Sequence, residues 1–297
     1  MIEAVTYKFR RSQSNRQYTL DEKFFENIDT EQKAYWLGFI LADGCISQDS
    51  LVIVLASRDK RHLKKFLKDI ESNYKIHDRT CVRTFNGKTK EYRESRIQIG
   101  SKKLVQGLLK QGVTPNKSLT AEPIKVKKDL QRHFWRGVFD GDGSIAKKYF
   151  RINLGGTPTI CRGFLNVINH LSFESNPVIF LDKELKNFAR FRLNKQRDVL
   201  KVLDYLYKDV KVYLDRKYDL YQKLKNKKIR EYSNEFKEYA IELYNGGLNA
   251  GEVSKVIGLD FKDSVIRWVR DAGYPVRNNS FTRWLLHHTM NSNYNWK

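Results

Sequence analysis

Two short segments of this chain nearly repeat each other, and both copies end on an acid. The first is Trp36-Leu37-Gly38-Phe39-Ile40-Leu41-Ala42-Asp43-Gly44-Cys45-Ile46, and the second is Trp135-Arg136-Gly137-Val138-Phe139-Asp140-Gly141-Asp142-Gly143-Ser144-Ile145. In register, Gly38 and Ala42 match Gly137 and Gly141, and Asp43 matches Asp142. Side chains four apart share one helical face, so small residues at that spacing let a second helix approach closely. Two such helices packed side by side bring both terminal carboxylates to one place. The acids lie 99 residues apart, which marks a duplicated unit of about 100 residues rather than an isolated turn.

The surrounding elements follow the same order in each copy. A helix begins near Thr30, whose hydroxyl can cap its first turn, and an apolar run carries it to Gly44. So continuous an apolar surface fits a helix buried between its own domain and a partner. A strand is expected over 51–55, a helix over 60–70, and strands over 75–84 and 92–99 around a turn at Asn86-Gly87. A helix over 102–110 and an exit loop over 112–118 complete the first half. The second half reads as a helix over 130–141, a strand near 149–154 and a proline-started helix over 158–171. Strands over 177–181 and 187–193 and a helix over 197–206 follow. Another helix opens at Tyr213 and grades into Lys223, Lys225, Lys227, Lys228 and Arg230, a basic linker or a solvated helix face.

A third, smaller pattern is helical throughout. A helix over 235–244 stops at Gly246-Gly247, and Asn249 can cap the next with Glu252 as its reciprocal partner. Gly258 permits a tight turn before a helix over 261–272. Phe261, Val265, Trp268, Val269 and Ala272 form its buried stripe, leaving Lys262, Asp263, Arg267 and Arg270 outside. The pattern resembles a helix-turn-helix module, whose last helix enters the major groove. A purely structural three-helix cap is the alternative. The expected division is a first unit over 1–120, a second over 121–222, a linker over 223–233, the helical domain over 234–279 and a tail over 280–297.

Charge narrows the partner. Lys plus Arg total 56 against 34 Asp plus Glu, a formal net charge of +22, which favours polyanions through phosphate neutralisation and counterion release. No apolar run approaches the roughly 18 residues of a membrane span, and residues 1–30 lack the apolar core of a signal peptide. No membrane attachment and no obligate protein partner are expected. Cys45, Cys81 and Cys161 are odd in number and far apart, which points to an intracellular, reducing compartment, bacterial, phage or organellar. With the six histidines they form no standard zinc spacing.

An Asp before Gly is by itself an ordinary helix-ending residue. Two of them after the same Gly-x-x-x-small spacing are not. Carboxylates held together repel unless cations lie between them, and hard oxygen ligands suit magnesium.

At this point the sequence resembles the LAGLIDADG homing endonucleases, through Leu37-Gly38-Phe39-Ile40-Leu41-Ala42-Asp43-Gly44 and Arg136-Gly137-Val138-Phe139-Asp140-Gly141-Asp142-Gly143. The resemblance extends over about residues 20–222, including Thr114-Pro115-Asn116-Lys117-Ser118 and the Tyr213–Tyr218 stretch. It implies an α+β fold: two pseudo-symmetric αββαββ units in one monomeric chain, forming a DNA-binding saddle, plus the small all-helical C-terminal domain. It also implies that Asp43 and Asp142 are the catalytic, metal-binding acids, each serving one DNA strand. Gly38, Ala42, Gly137 and Gly141 would form the helix interface. The implied cofactor is Mg2+, two or three ions per DNA-bound centre, with Mn2+ substituting. Gln98 and Lys195 are candidate catalytic helpers. Asp140 has Leu41 as its counterpart and is left out of the metal pair.

Strand alternation supplies candidate DNA contacts. Arg79, Cys81 and Arg83, then Arg96 and Gln98, then Arg190, Arg192 and Asn194 stand at every second position, so one strand face could enter the core while the other, with its arginines, Gln98 and Asn194, meets DNA. Lys147, Lys148 and Arg151 add a backbone patch, and Lys262, Arg267 and Arg270 a helical one. The expected function is site-specific, metal-dependent double-strand cleavage of a long asymmetric DNA target by a free protein, with intron or free-standing gene left open. An intron maturase that binds RNA and a nonenzymatic DNA-binding regulator are the alternatives.

Overall fold

The computed structural model describes residues 17–85, 87–146, 150–227, 232–259 and 262–277. Internal contacts divide the chain into two units, Met1–Lys227 and Lys228–Lys297. The larger opens on helix α1 (Glu31–Asp43), where the Thr30 hydroxyl accepts from the Lys33 N–H at 3.3 Å. Every residue from Ala34 to Leu41 is buried, as an all-round apolar helix requires. The backbone leaves Gly44 in extended conformation and runs straight into strand β1 (Gly44–Ser47). Strand β2 (Ser50–Ala56), helix α2 (Lys60–Asp69), strands β3 (His77–Phe85) and β4 (Lys88–Gly100) and helix α3 (Lys102–Lys110) follow.

The second half repeats this plan. Helix α4 (Gln131–Asp142) leads into β5 (Gly143–Ile145) and β6 (Ile152–Gly156), then helix α5 (Pro158–Ile168). Strands β7 (Val178–Leu181) and β8 (Ala189–Leu193) and helix α6 (Gln196–Tyr207) close the repeat, before helix α7 (Asp215–Lys225). Both sheets are antiparallel and share one strand order, β1-β2-β4-β3 and β5-β6-β8-β7. The expected pair of pseudo-symmetric α+β units is present.

Alternation holds where strands lie over helices. Ile97 and Ile99 are fully buried, as are Ala189 and Phe191, while Gln98 and Arg190 between them are exposed. Strand β3 departs from the expectation. Thr80, Val82 and Thr84 are exposed along with Arg79 and Arg83, because the β3–β4 hairpin extends past the helices that would cover its inner face. The two strands that immediately follow the acids were not anticipated. Helix α7 continues through Lys225, so Lys223 and Lys225 lie on a helix.

The smaller unit packs helices α8 (Asn234–Asn245), α9 (Ala250–Val256) and α10 (Asp263–Asp271) around Ala240, Tyr244, Val253, Val265, Trp268 and Val269. The capping box is present: Asn249 Oδ1 accepts from the Glu252 N–H at 3.1 Å, and Glu252 accepts from the Asn249 N–H at 2.8 Å. Gly258 turns the chain at φ +70°, the left-handed region glycine tolerates. Ala272 is exposed beyond the last helical turn, outside the stripe assigned to it, and Phe261 lies outside the described residues. The Arg277 N–H donates to the Tyr244 hydroxyl at 2.7 Å, and its guanidinium donates to the Leu248 carbonyl at 3.1 Å. That closes the unit on the far side of α10.

Candidate active site and nucleic-acid interface

Helices α1 and α4 touch backbone to backbone. A methyl group at position 38 would lie 2.0 Å from the Phe134 carbonyl oxygen, and one at 137 would lie 2.0 Å from the Tyr35 carbonyl oxygen. Only glycine fits at either place. One turn further on, a methyl at 141 would stand 2.4 Å from the Ala42 Cβ, so Ala42 is admitted because its counterpart is Gly141. All four small residues singled out in the sequence meet at this interface.

The same contact brings the acids together. The position a Cβ would take at Gly141 is 3.5 Å from the Asp43 Cγ, and Asp142 is the next residue. Both acids are the last residues of their helices, and both remain open to solvent. Crowding by the surrounding protein pushes the Asp142 carboxyl up to about 6, and the charge of Asp43 adds to the rise. Asp43 is raised by the same crowding, against the pull of Lys217, Lys117 and Arg216. Carboxylates at helix C-termini also oppose the macrodipole, and neither helix carries a basic residue in its last turn. Positive charge must come from elsewhere.

Two buried lysines supply it. The Lys117 ammonium donates to the Gly44 carbonyl. The Lys217 ammonium donates to three carbonyls, of Phe139 at 2.5 Å, Asp140 at 2.7 Å and Gly143 at 2.5 Å. Three donors are all an ammonium has, so Lys217 is committed to the end of α4, whereas Lys117 makes one such bond. Burial lowers Lys217 to about 8 and lowers Lys117 as well, although the nearby acids oppose both shifts. A cavity of about 30 Å³, lined in part by Lys117, Ser118, Asp142 and Thr157, lies beside Lys117, room enough for a water molecule. Neither lysine was singled out in the sequence. Their signal was spacing, since they stand 100 residues apart and track the repeat.

Asp140 has a different task. It is fully buried and accepts from Tyr35 at 2.7 Å, Tyr207 at 2.6 Å and the Leu214 N–H at 2.8 Å. Arg136, also fully buried, pairs with Glu31 at 2.8 Å and donates to the Val212 carbonyl at 2.8 Å. Burial alone would raise Glu31, but His133, the Lys211 N–H and Arg136 hold it down at about 2. These charges fasten α4 to α1 and to the segment before α7.

The proposed DNA contacts are distributed unevenly. Arg96 and Gln98 face outward and join at 2.7 Å, and Arg192 donates to Asn153 at 3.0 Å. Arg151 donates to Asn194 at 3.0 Å, and Arg190 reaches Asp182 at 3.4 Å. Arg79 and Arg83 both bind Glu94, which offsets half of their charge. Lys195 pairs with Glu174 at 2.7 Å. Lys262, Arg267 and Arg270 are exposed on or beside α10 of the smaller unit, and Lys147 and Lys148 lie outside the described residues. Among the described residues, no three His, Cys, Asp or Glu side chains gather as a metal cluster, and no helix is long and apolar enough to cross a membrane.

The architecture is similar to that of LAGLIDADG and WhiA structures. Full-length DUF199/WhiA from Thermatoga maritima matches at 16% identity and a TM-score of 0.43, covering 84% of this chain and 95% of that one. Meganuclease I-SmaMI bound to uncleaveable DNA matches at 10% identity and a TM-score of 0.45, covering 82% and 97%. The homing endonuclease I-GzeII in complex with its DNA target matches at 11% and 0.42, covering 75% and 96%. These are distant likenesses and carry no information on what this chain acts on. No family model matches the chain. A replication factor C small subunit of Methanocaldococcus jannaschii is 29% identical over 133 residues, 42% of this chain. The chain spans only 6% of that relative.

Proposed function

We propose that this chain is a site-specific, divalent-metal-dependent DNA endonuclease that hydrolyses one phosphodiester in each strand of a long asymmetric duplex. The observation that carries this reading is the meeting of Asp43 and Asp142 at the ends of two helices in backbone contact. The donor set fits a hard cation: two accessible carboxylates, one with its proton affinity raised by the other, gain by sharing positive charge. Asp43 and Asp142 would hold it, as Mg2+ or Mn2+. The chemistry such a cation supplies when bound is activation of water and neutralisation of charge on the phosphate.

The chain's own residues do the rest. Lys217 fixes the carbonyls that end α4, and Lys117 has donor capacity left for a phosphate oxygen. Outward arginines on both sheets neutralise backbone phosphates. The smaller unit, with Arg267 and Arg270 exposed on α10, adds a second DNA-reading surface. That surface also supports a second reading, a DNA-binding regulator without nuclease activity. Three free cysteines support a reducing compartment.

Selection from a randomised duplex library in Mg2+, with both cut strands mapped, tests the proposal directly. Asp43→Asn and Asp142→Asn should abolish cleavage and keep duplex binding. Either variant cutting at the wild-type rate overturns the assigned centre, and binding without any cleavage by the wild type favours the regulator.

A further inference from the structure

The outward faces of both sheets pair exposed aromatic rings with cations, Tyr92 with Arg83 and Lys90 on the first, and the second adds exposed aliphatic surface. On β7, Val178 and Phe180 are each 44% exposed, while Ile179 between them packs against the core. The ladder sets Val178 opposite Arg192 and Phe180 opposite Arg190. Two apolar side chains and two guanidiniums therefore share one surface. Arg192 lies 5.1 Å from the centre of the Phe180 ring and donates its Nε to Asn153 at 3.0 Å. Its face and inner nitrogen are thus occupied, and its terminal nitrogens have no acceptor among the described residues. Arg190 sits 5.6 Å over the Phe188 ring, and that ring fills the space a side chain at Gly155 would need, 3.0 Å away. The corresponding outer strand of the first sheet, β3, carries Arg79, Cys81 and Arg83 instead.

A solvated face of an antiparallel sheet is ordinarily polar. Exposed valine and phenylalanine beside two arginines call for an occupant that is anionic overall and apolar at one point. The major groove of duplex DNA has both properties and admits a two-stranded β-ribbon. The apolar group on its base edges is the C5-methyl of thymine, and a free guanidinium edge matches guanine O6 and N7.

We infer that Val178 and Phe180 read thymine methyl groups, with Arg192 held beside them as a guanine reader, so that the half-site under this sheet contains T·A pairs next to G·C. The inference rests on the DNA-binding reading above and deepens it to the sequence class recognised. Phe180 acts here through a base methyl; Arg192 acts through hydrogen bonds that its stacking on Phe180 orients.

The test uses the full chain and a duplex taken from the selection. Each thymine is replaced in turn by deoxyuridine, which removes one methyl and nothing else, and affinity is measured in EDTA. Wild-type protein should lose roughly fourfold at one or two positions, all in one half-site. Phe180→Ala and Val178→Ala, both at exposed positions, should bind more weakly and no longer respond to uridine there. Arg192→Ala should relax preference at an adjacent guanine. Uridine that is neutral at every position overturns the inference while leaving DNA binding intact, as does an unchanged uridine penalty in the two alanine variants. Enrichment of no duplex at all overturns the DNA reading itself, and this inference with it.

Discussion

Tyr35 of α1 donates its phenolic proton to Asp140 of α4 at 2.7 Å, across the same interface where the glycines meet. The hydroxyl in turn lies 3.0 Å from His62 Nε2. Burial holds His62 well below its ordinary value and therefore neutral. One carboxylate thus draws together α1, α2, α4, α6 and the segment leading into α7.

Replacing that carboxylate separates packing from charge. Asp140→Asn keeps the shape but leaves one accepting oxygen where there were two, so at least one of the three donors loses its acceptor, and should cost about 2 kcal/mol. Asp140→Leu, which installs the residue that position 41 already carries, strands three buried donors and should cost ~4 kcal/mol. Urea melts with unchanged slope check both values. Equal losses from the two variants would contradict the hydrogen-bonding role.

The interface predicts a compensating pair. Gly141→Ala presses on the Ala42 Cβ at 2.4 Å and should destabilise by about 1–3 kcal/mol. Adding Ala42→Gly should restore most of the loss, a coupling that a double-mutant cycle measures. No such partner exists for Gly38→Ala or Gly137→Ala, which meet backbone oxygen, so Ala42→Gly should rescue neither.

Metal binding should depend on pH through Asp142. Its folded value of about 6 lies above the ordinary carboxylate value, so its contribution to stability is full below that ordinary value and is lost as pH rises through about 6. A divalent cation competes with the proton for the same oxygens. Stabilisation by Mg2+, read as a shift in melting temperature, should therefore be small at pH 5 and larger at pH 7.5. Asp142→Asn should flatten that profile, and a wild-type shift equal at both pH values would remove Asp142 from the metal site.

The two lysines should fail differently. Lys217→Met leaves two carbonyls of α4 and that of Gly143 without donors and should lower stability by ~3 kcal/mol. Lys117→Met frees one carbonyl and should lower stability by ~1 kcal/mol while reducing cleavage more than DNA affinity. Single-turnover cleavage and equilibrium binding on the same duplex distinguish the two. A Lys117→Met enzyme that cuts at full rate would show that this ammonium only caps its carbonyl.

What could be read beforehand was local or repeated. Thr30 and the Asn249/Glu252 pair announce their helices because caps act within three residues, and the small-residue spacing marks α1 and α4 as neighbours. The lysines gave no local sign, since Lys117 meets a carbonyl at Gly44 and Lys217 meets those at 139, 140 and 143. The task of Asp140 stayed hidden for the same reason, with partners at 35, 207 and 214. Strands β1 and β5 are four and three residues long, too short for alternation to register. The exposed inner side of β3 depends on where the helices end, which no pattern inside the strand encodes.

Each lysine closes on its own half, Lys117 on Gly44 and Lys217 on Gly143. An acid, the carbonyl after it and the cation that caps it thus travel on one stretch of about 100 residues. An ancestral chain with a single copy, meeting its twin along the glycine face, would have assembled both halves of the centre without any new residue. Of the two helices only α4 carries buried charge, in Arg136 and Asp140.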